Sequence, residues 1–434
     1  MLRNCATHIG YASAKFAQDD GNWANCRHYT RPSMSETPEH LLRPHVRPFQ
    51  PVGVEKDKQV GVGLRDPMNL TGRMMVVPPQ AVALVHSFQG EHTVHQISEA
   101  TKIPIEQLSQ LVANLDESGL LWGPTFDRLE REAMERTRAA GAFPAAGSKF
   151  AGDTRDAAAA RIGSLLADAE DPELGAGVLG IIAPHLDLER GGINYAAAYK
   201  AALGAPRPDR VVVLGTNHFG LGDGVVATRL GQDSPFGVVP SDAALADLLG
   251  RELGDRLFKD EADFLGEHSV QFHMPWIAHT LPGVPVFAAL VPDPMRAMIA
   301  DDGARASFSE FRSALRDAIG ALPGRTLVVA SADLSHVGPA FGDPGPVGAQ
   351  VRKQVEEIDR GLLAEYASGD MEAFIQSVRG AGNATRWCSV GNMAAALFAT
   401  AGAPELIQYG QSPESLDPQG TALITSAAMA LMAD

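Results

Sequence analysis

Residues 211–218 read VVVLGTNH, an aliphatic, β-branched run that ends in a polar cluster containing His218. Two other runs have the same form: IIAPH ends at His185, and LVVASADLSH ends at His336. Short apolar runs of this kind predict buried strands of a parallel sheet. Because open α/β sheets place their chemistry at the carboxyl ends of their strands, we expect the three imidazoles to converge on one site. Converging imidazoles indicate a metal or acid–base chemistry.

The spacing of the first two histidines supports an α/β fold. His218 follows His185 by 33 residues (218 − 185), which leaves room for one strand–helix–strand unit. The alanine-rich residues 192–202 predict its crossover helix, and Gly204 can cap that helix. Both histidines would then lie at the same edge of the sheet, on different strands.

Two further segments carry side chains suited to chemistry. Glu267 and His268 are followed, five residues after His268, by His273. Cys388 stands just before an alanine-rich helix pattern at residues 393–399. A helix N-terminus favours the thiolate form of a nearby cysteine, and thiolates are strong ligands for iron, copper and zinc.

Each of these residues also has an ordinary structural interpretation. His185 alone could be a hydrogen-bonded structural residue, Cys388 a small buried apolar residue, and Asp333 a helix cap. Alternatively Asp333 and His336, three apart, would share one face of a helical turn, where the carboxylate could orient the imidazole. Five of the six histidines after residue 177 lie in these segments, and His279 lies outside them. The joint pattern therefore favours a site.

The composition bounds the class of protein. A chain of 434 residues with 45% hydrophobic and 20% charged residues predicts a globular protein of two domains. The net charge of −16 argues against binding to nucleic acid or to an anionic membrane. Three cysteines imply no disulfide framework and favour a cytoplasmic location. The sequence shows no apolar run of about 18 residues and no signal-peptide pattern.

The first part of the chain predicts a small separate domain. Residues 1–40 are predicted to be a disordered tail or a misassigned start, with Met34 as the alternative start. Residues 41–126 begin with a strand-like run and continue with three helix patterns and a short extended run, which together predict a winged-helix (α+β) module. The second helix is predicted to begin with a capping box formed by Thr93 and Gln96.

This module resembles the winged-helix domains typified by the peptide chaperone of pyrroloquinoline quinone biosynthesis. The resemblance rests on Asp66, FQG at residues 88–90, TVHQI at 93–97 and SGLL at 118–121. The helix predicted at residues 104–117 contains three acidic residues and no Lys or Arg, so a phosphate-contacting face is missing. Peptide or partner binding is therefore favoured over DNA binding.

Residues 127–177 are predicted to be a linker, because after a charged helical start they are rich in Ala, Gly, Asp and Pro. The main α/β domain is predicted to span residues 178–434.

This main domain resembles the Memo family. The resemblance rests on five ordered motifs: APH at 183–185, LGTNH at 214–218, EHSVQFH at 267–273, SADLSH at 331–336, and Cys388. The resemblance implies the fold of class III extradiol dioxygenases, which use non-haem Fe(II), with a cysteine in place of the metal-binding glutamate. It implies His185, His218 and Cys388 as metal ligands. It also implies His273, Asp333 and His336 as catalytic pocket residues, with His336 transferring protons.

The resemblance further implies one bound metal ion, Fe(II) first, with copper or zinc as alternatives, and redox activity on an unknown substrate. Bacterial members of the AmmeMemoRadiSam system imply a radical-SAM protein and an AMMECR-type protein as partners. Two other functions stay open: a non-catalytic binding scaffold with a vestigial pocket, and a zinc-dependent hydrolase. The residues after His185 read LDLER (186–190), where animal members carry a glycine–tyrosine pair.

Overall fold

The computed structural model describes residues 37–56, 59–145, 147–220, 224–295 and 303–433. The predicted tail or alternative start lies outside these residues, apart from positions 37–40. The described chain forms two compact units, residues 37–136 and residues 137–433. Among the described residues, no helix has the length and apolar character needed to cross a membrane.

The first unit combines a three-stranded antiparallel sheet with short helices. Its strands pair in the order β1-β2-β3; one short helix precedes them along the chain and the other helices follow them. The elements are α1 (Glu39–Leu42), β1 (Gln50–Lys56), β2 (Gln59–Arg65), β3 (Met74–Val77), α2 (Ala81–His86), α3 (Val94–Thr101) and α4 (Ile105–Glu117). The helix α5 (Pro124–Ala140) spans the boundary between the units.

The predicted capping box is confirmed. The backbone N–H of Gln96 donates to Thr93 Oγ1 at 3.2 Å, and the backbone N–H of Thr93 donates to Gln96 Oε1 at 2.8 Å. In α4 the side chains of Leu108, Val112 and Leu115 are buried at helical spacing and form the centre of this unit's core. The winged-helix assignment of this unit stays a prediction.

The second unit is built on one large mixed sheet covered by helices. Its elements are β4 (Ala142–Phe143), α6 (Arg155–Asp168), β5 (Val178–Ala183), α7 (Leu188–Leu203), β6 (Arg210–Thr216), β7 (Val226–Ala227), β8 (Gly231–Gln232), α8 (Ala243–Leu253), α9 (Met274–Thr280), β9 (Val286–Val291), α10 (Phe308–Ala321), β10 (Thr326–Ser331), β11 (Asp333–Val337), α11 (Ala349–Ala367), α12 (Met371–Gly380), α13 (Val390–Thr400), β12 (Ala403–Gln411) and β13 (Leu423–Met432).

The order of the strands brings the predicted site together. The sheet runs β11-β13-β5-β10-β6-β9-β7, and β12 pairs with β13. Strands β5, β10, β6 and β9 are parallel, so the α/β prediction is confirmed. Because β10 lies between β5 and β6, the carboxyl ends of the three strands that lead to histidines are neighbours. The predicted crossover helix is α7, which ends at Gly204.

The prediction of a linker at residues 127–177 is wrong. Residues 137–177 belong to the second unit, where α6 packs on α7 with Ala158 and Ile162 fully buried. Strand β4 pairs with β8, and the ring of Phe143 lies 5.3 Å from the ring of Phe264. The alanine content that suggested a linker instead allows close helix packing, because small side chains let helix backbones approach each other.

Candidate metal centre

Three donor side chains meet at the carboxyl edge of the central strands. His185 follows β5, His218 follows β6, and Cys388 precedes α13. Their ligand atoms all lie within 4.8 Å of one another, and Cys388 Sγ is 3.5 Å from His185 Nε2. The two imidazole rings are 5.1 Å apart between centroids and nearly perpendicular, at 85°. We call these three residues, which could together hold a metal ion, the ligand triad.

Hydrogen bonds fix the ring orientation and the tautomer of His185. Its Nδ1 lies 3.1 Å from the hydroxyl oxygen of Ser331, and that hydroxyl itself donates to the Ser269 carbonyl at 2.8 Å. Because the Ser331 proton is already used, its oxygen accepts from Nδ1–H of His185. The lone pair of His185 is therefore on Nε2, the atom that faces Cys388. Burial, and then the neighbouring imidazoles, hold the pKa of His185 well below its ordinary value, so the ring is neutral.

His218 is oriented by a buried carboxylate. Glu267 accepts from the backbone N–H groups of His218 at 2.9 Å and Ser269 at 2.8 Å, and its Oε1 lies 3.0 Å from His218 Nδ1. Burial works against charge on both groups, but the pairing prevails: it holds the pKa of His218 above its ordinary value and lowers the pKa of Glu267 to about 2. A carboxylate behind a histidine is the usual outer partner of a metal-binding imidazole. The sequence placed Glu267 beside the site but did not show this role.

Cys388 lies in a polar setting at the start of α13. Its side chain is buried, with Sγ 3.2 Å from Ser389 Oγ. Ser389 Oγ lies 3.0 Å from Thr216 Oγ1, and Asn392 donates to the same threonine oxygen at 2.8 Å. These contacts connect the cysteine segment to the end of β6, two residues before His218.

Asp333 contacts His185 and lies in a strand. The His185 backbone N–H donates to Asp333 Oδ1 at 2.9 Å, and Oδ2 lies 3.4 Å from His185 Nε2. The predicted helical turn at residues 333–336 is wrong, because this segment is β11 and pairs with β13. Burial raises the pKa of Asp333 to about 7, so its carboxyl group can carry a proton near neutrality.

His336 is buried and held by backbone carbonyls. Its Nδ1 lies 3.1 Å from the carbonyl oxygens of Leu334 and Arg386, so Nδ1 carries the proton and Nε2 is left as the basic atom. Its pairing pattern in β11 is irregular between Asp333 and His336. Burial lowers the pKa of His336 to about 4.

His273 is part of an aromatic cluster. Its Nδ1 is 3.0 Å from the hydroxyl of Tyr199, and its ring lies 5.4 Å from that of Tyr195. Both tyrosine rings stack on Trp276 at 5.3 Å. Burial lowers the pKa of His273 to about 3, so the ring is neutral. The structure places His273 in this packed cluster, whereas the ligand triad is built from other segments.

A further imidazole, to which the sequence interpretation gave no role, lies beside the ligand triad. The ring of His268 stacks on that of His218 at 5.0 Å and 14°, and lies edge-on to that of His185 at 5.4 Å. About a third of its side chain is exposed, so it is more accessible than either histidine of the ligand triad. Its Nδ1 lies 3.5 Å from Glu267 Oε1. The sequence signal for it was its place beside Glu267 and five residues before His273.

The segment that departs from the animal pattern forms the first turn of α7. Asp187 caps this helix by accepting from the backbone N–H of Arg190 at 3.0 Å, and it also accepts from Arg190 Nε at 2.7 Å. Both side chains are half-buried. Glu189 pairs with Arg161. The acids of this segment thus each have a basic partner.

We expect Glu267→Gln to weaken metal binding by about 10- to 100-fold, because an outer-shell partner of this kind orients its histidine. Competition titration against a chelator measures the affinity. Glu261→Gln is the matched control: Glu261 is a buried acid six residues upstream that pairs with Arg138 and accepts from Thr228. A Glu267→Gln protein with the affinity of the Glu261→Gln protein would contradict the assigned role.

Comparison with known proteins identifies the family of this chain. The profile of the family described as Memo-like protein matches residues 143–422, more than half of the chain. The chain belongs to the Memo-like protein family. Among its relatives, a MEMO1 family protein of Thermus thermophilus is 28% identical over 274 residues, which cover 62% of this chain and 77% of the relative. A MEMO1 family protein of Aquifex aeolicus is 25% identical over 346 residues, which cover 77% and 86%. The Memo-like region thus begins before β5 and includes the whole ligand triad.

Proposed function

We propose that this Memo-like protein is a metal-dependent redox enzyme that holds one metal ion with His185, His218 and Cys388. One observation carries the proposal: the three donor atoms lie within 4.8 Å of one another at the carboxyl edge of the sheet. Hydrogen bonds at Nδ1 of His185 and His218 leave Nε2 of each ring as the atom that would bind the metal. The residues present therefore fit a metal ion.

The donor set selects the class of metal. Two imidazoles and a thiolate suit iron, copper or zinc, and three protein ligands leave coordination positions open. We propose Fe(II) first, because the resemblance of the family to extradiol dioxygenases, which use Fe(II), favours iron among the metals that this donor set suits. The ion would supply a site at which dioxygen or substrate binds and electrons are exchanged.

The side chains next to the ligand triad would transfer protons during the reaction. The lone pair of His336 is on Nε2, because its Nδ1 proton is held by two carbonyl oxygens. Asp333 can hold a proton near neutrality and touches the ligand His185. We propose His336 as the proton-transfer residue, Asp333 as its acidic counterpart, and His273 as a supporting pocket residue. A scaffold without catalysis would have no use for such groups.

Metal analysis and nitric oxide binding test the proposal. We expect the full chain, purified without added metal, to contain one equivalent of iron. Reduced and exposed to nitric oxide, it should give the electron paramagnetic resonance signal of a high-spin Fe(II)–nitrosyl, which requires an open position. Zinc as the bound metal, with hydrolysis of an ester probe that His336→Gln abolishes, would favour the hydrolase instead. A fully liganded ion without nitric oxide binding would favour the scaffold.

The partners and location are part of the same proposal. We propose that the chain works in the cytoplasm, where a thiol ligand such as Cys388 stays reduced. Its partners would be a radical-SAM protein and an AMMECR-type protein, and the first unit would recruit a peptide or protein. The exposed acids Glu106 and Glu117 of α4 support a protein partner over nucleic acid. Co-elution of the full chain with each partner of the same genome tests this, and separate elution at micromolar concentrations would count against it.

A further inference from the structure

A buried carboxylate on α11 lies behind the candidate metal centre. Asp359 is fully buried and accepts four hydrogen bonds, two at each oxygen. Trp387 Nε1 donates to Oδ1 at 2.8 Å, and the Ser335 hydroxyl donates to the same oxygen. Tyr409 donates to Oδ2 at 2.8 Å, and Thr425 donates to it at 2.6 Å. Asp359 thus joins α11 to four other segments.

Two of the four donors are sequence neighbours of site residues. Ser335 immediately precedes His336, and Trp387 immediately precedes Cys388. The indole N–H of Trp387 also lies 3.2 Å from Ser335 Oγ, so the two donors touch each other as well as Oδ1. A single carboxylate oxygen therefore ties the segment of the thiol ligand to the segment of the proton-transfer histidine.

The second oxygen fixes the strand that supports these segments. Thr425, on β13, donates to Oδ2 and accepts from the Ser335 backbone N–H at 2.9 Å. Because β13 pairs with β11, this bond also sets the position of β11, which contains His336. The Asp359 side chain therefore holds β11, the cysteine segment and the strand β13 that supports β11.

Packing alone does not explain a carboxylate in this place. Burying a carboxylate costs free energy unless its oxygens are hydrogen-bonded, and an apolar side chain of similar volume often packs as well or better. What an apolar side chain lacks is the ability to hold four donors at defined positions. The contribution of Asp359 is therefore to position the four donors and their segments.

We infer that Asp359 is a positioning residue that sets the Cys388 thiol and the His336 imidazole in register with each other. The inference rests on the proposed metal site, because it concerns how accurately that site is built. It assigns Asp359 no contact with metal or substrate.

Cobalt binding to the full-length protein tests the inference. With Co(II) as the probe, the wild type should show a near-ultraviolet thiolate-to-cobalt charge-transfer band. We expect Asp359→Leu to weaken Co(II) binding by about 10- to 100-fold, the usual effect of losing outer-shell support, and to shift or weaken the band. Asp359→Asn should stay within about threefold of wild type, because its carbonyl oxygen can still accept from Trp387.

A second buried aspartate provides the matched control. Asp242 caps α8 and pairs with Arg210, the first residue of β6, at the opposite end of that strand from His218. Asp242→Leu should lower stability and leave Co(II) affinity and the band unchanged. If Asp359→Leu does not fold, Trp387→Phe removes the indole N–H donor, keeps a smaller aromatic ring, and should change the band in the same direction to a smaller extent.

The outcomes separate the two proposals. An unchanged band and affinity in Asp359→Leu, or in Trp387→Phe when the leucine variant does not fold, would overturn the positioning role and leave the metal site standing. Equal losses in Asp359→Leu and Asp242→Leu would also overturn it, because they would show a general effect of stability. A wild type without the charge-transfer band would overturn Cys388 as a ligand, and the inference with it.

Discussion

Replacing Cys388 by alanine is expected to abolish tight metal binding to the full-length protein. The thiolate is the one anionic donor of the ligand triad, and its loss leaves only two imidazoles, neither of which carries a negative charge. We expect the affinity to fall by more than about 100-fold, the upper end of what loss of an outer-shell partner costs. Metal content after desalting and competition titration with Co(II) measure the change.

The control and a second readout make this test specific. Cys26→Ala, which removes another thiol of the chain, should leave metal binding unchanged. A ligand at 100 times its dissociation constant stabilises the folded state by about 2.7 kcal/mol, so Co(II) should raise the unfolding free energy of wild type and of Cys26→Ala by roughly that amount. Cys388→Ala should show no such gain. Unchanged stoichiometry in Cys388→Ala would refute this ligand set.

Replacing His273 by phenylalanine is expected to protect the metal-free protein against acid. Burial lowers the pKa of His273 to about 3, against 6.5 for the exposed side chain. Below pH 6.5 the unfolded state binds a proton that the folded state refuses, so stability is lost as the pH falls from 6.5 towards 3. Above pH 6.5 the residue contributes no pH dependence. At about 1.4 kcal/mol per pH unit, the loss between pH 6.5 and pH 4 is about 3 kcal/mol.

Urea unfolding at pH 7.5 and pH 4, with a chelator present, measures this effect. The fall in unfolding free energy between the two pH values should be about 3 kcal/mol smaller in His273→Phe than in wild type. The lost hydrogen bond to Tyr199 lowers stability at both pH values and cancels in the difference. His279→Phe changes a half-buried histidine of the helix that follows His273, and is the matched control: it should show the same fall in unfolding free energy as wild type. An acid dependence in His273→Phe equal to that of wild type would show that His273 is not held neutral by burial.

The sequence predicted the strands better than the segments between them. A continuous apolar run rich in β-branched residues is a property of neighbouring residues, so β5, β6 and β10 could be located from their own residues. The segment 127–177 was misjudged because small residues are compatible with a linker and with a tightly packed helix. Residues 333–336 were expected in a helical turn, but pairing with β13, about 90 residues away, makes them a strand.

The ligand triad was named in advance by family resemblance, and its supporting contacts were not. Cys388 lies 203 residues from His185, a separation across which no local pattern indicates contact. Glu267 was visible as a neighbour of the site, while its bond to His218 was not. Asp359 carries no signal in its own sequence context, because an acid in an amphipathic helix is ordinarily a solvated residue.

The sequence by itself determined the α/β class, the family and the convergence of His185 and His218 at one sheet edge. These follow from short apolar runs and from ordered motifs, both of which can be identified in the amino-acid sequence alone. Only the tertiary structure decided which nitrogen of His185 carries the proton, which carboxylate supports which ring, and how Asp359 joins the Cys388 and His336 segments. Hydrogen bonds depend on distances of about 3 Å between residues far apart in the chain, and folding alone sets those distances.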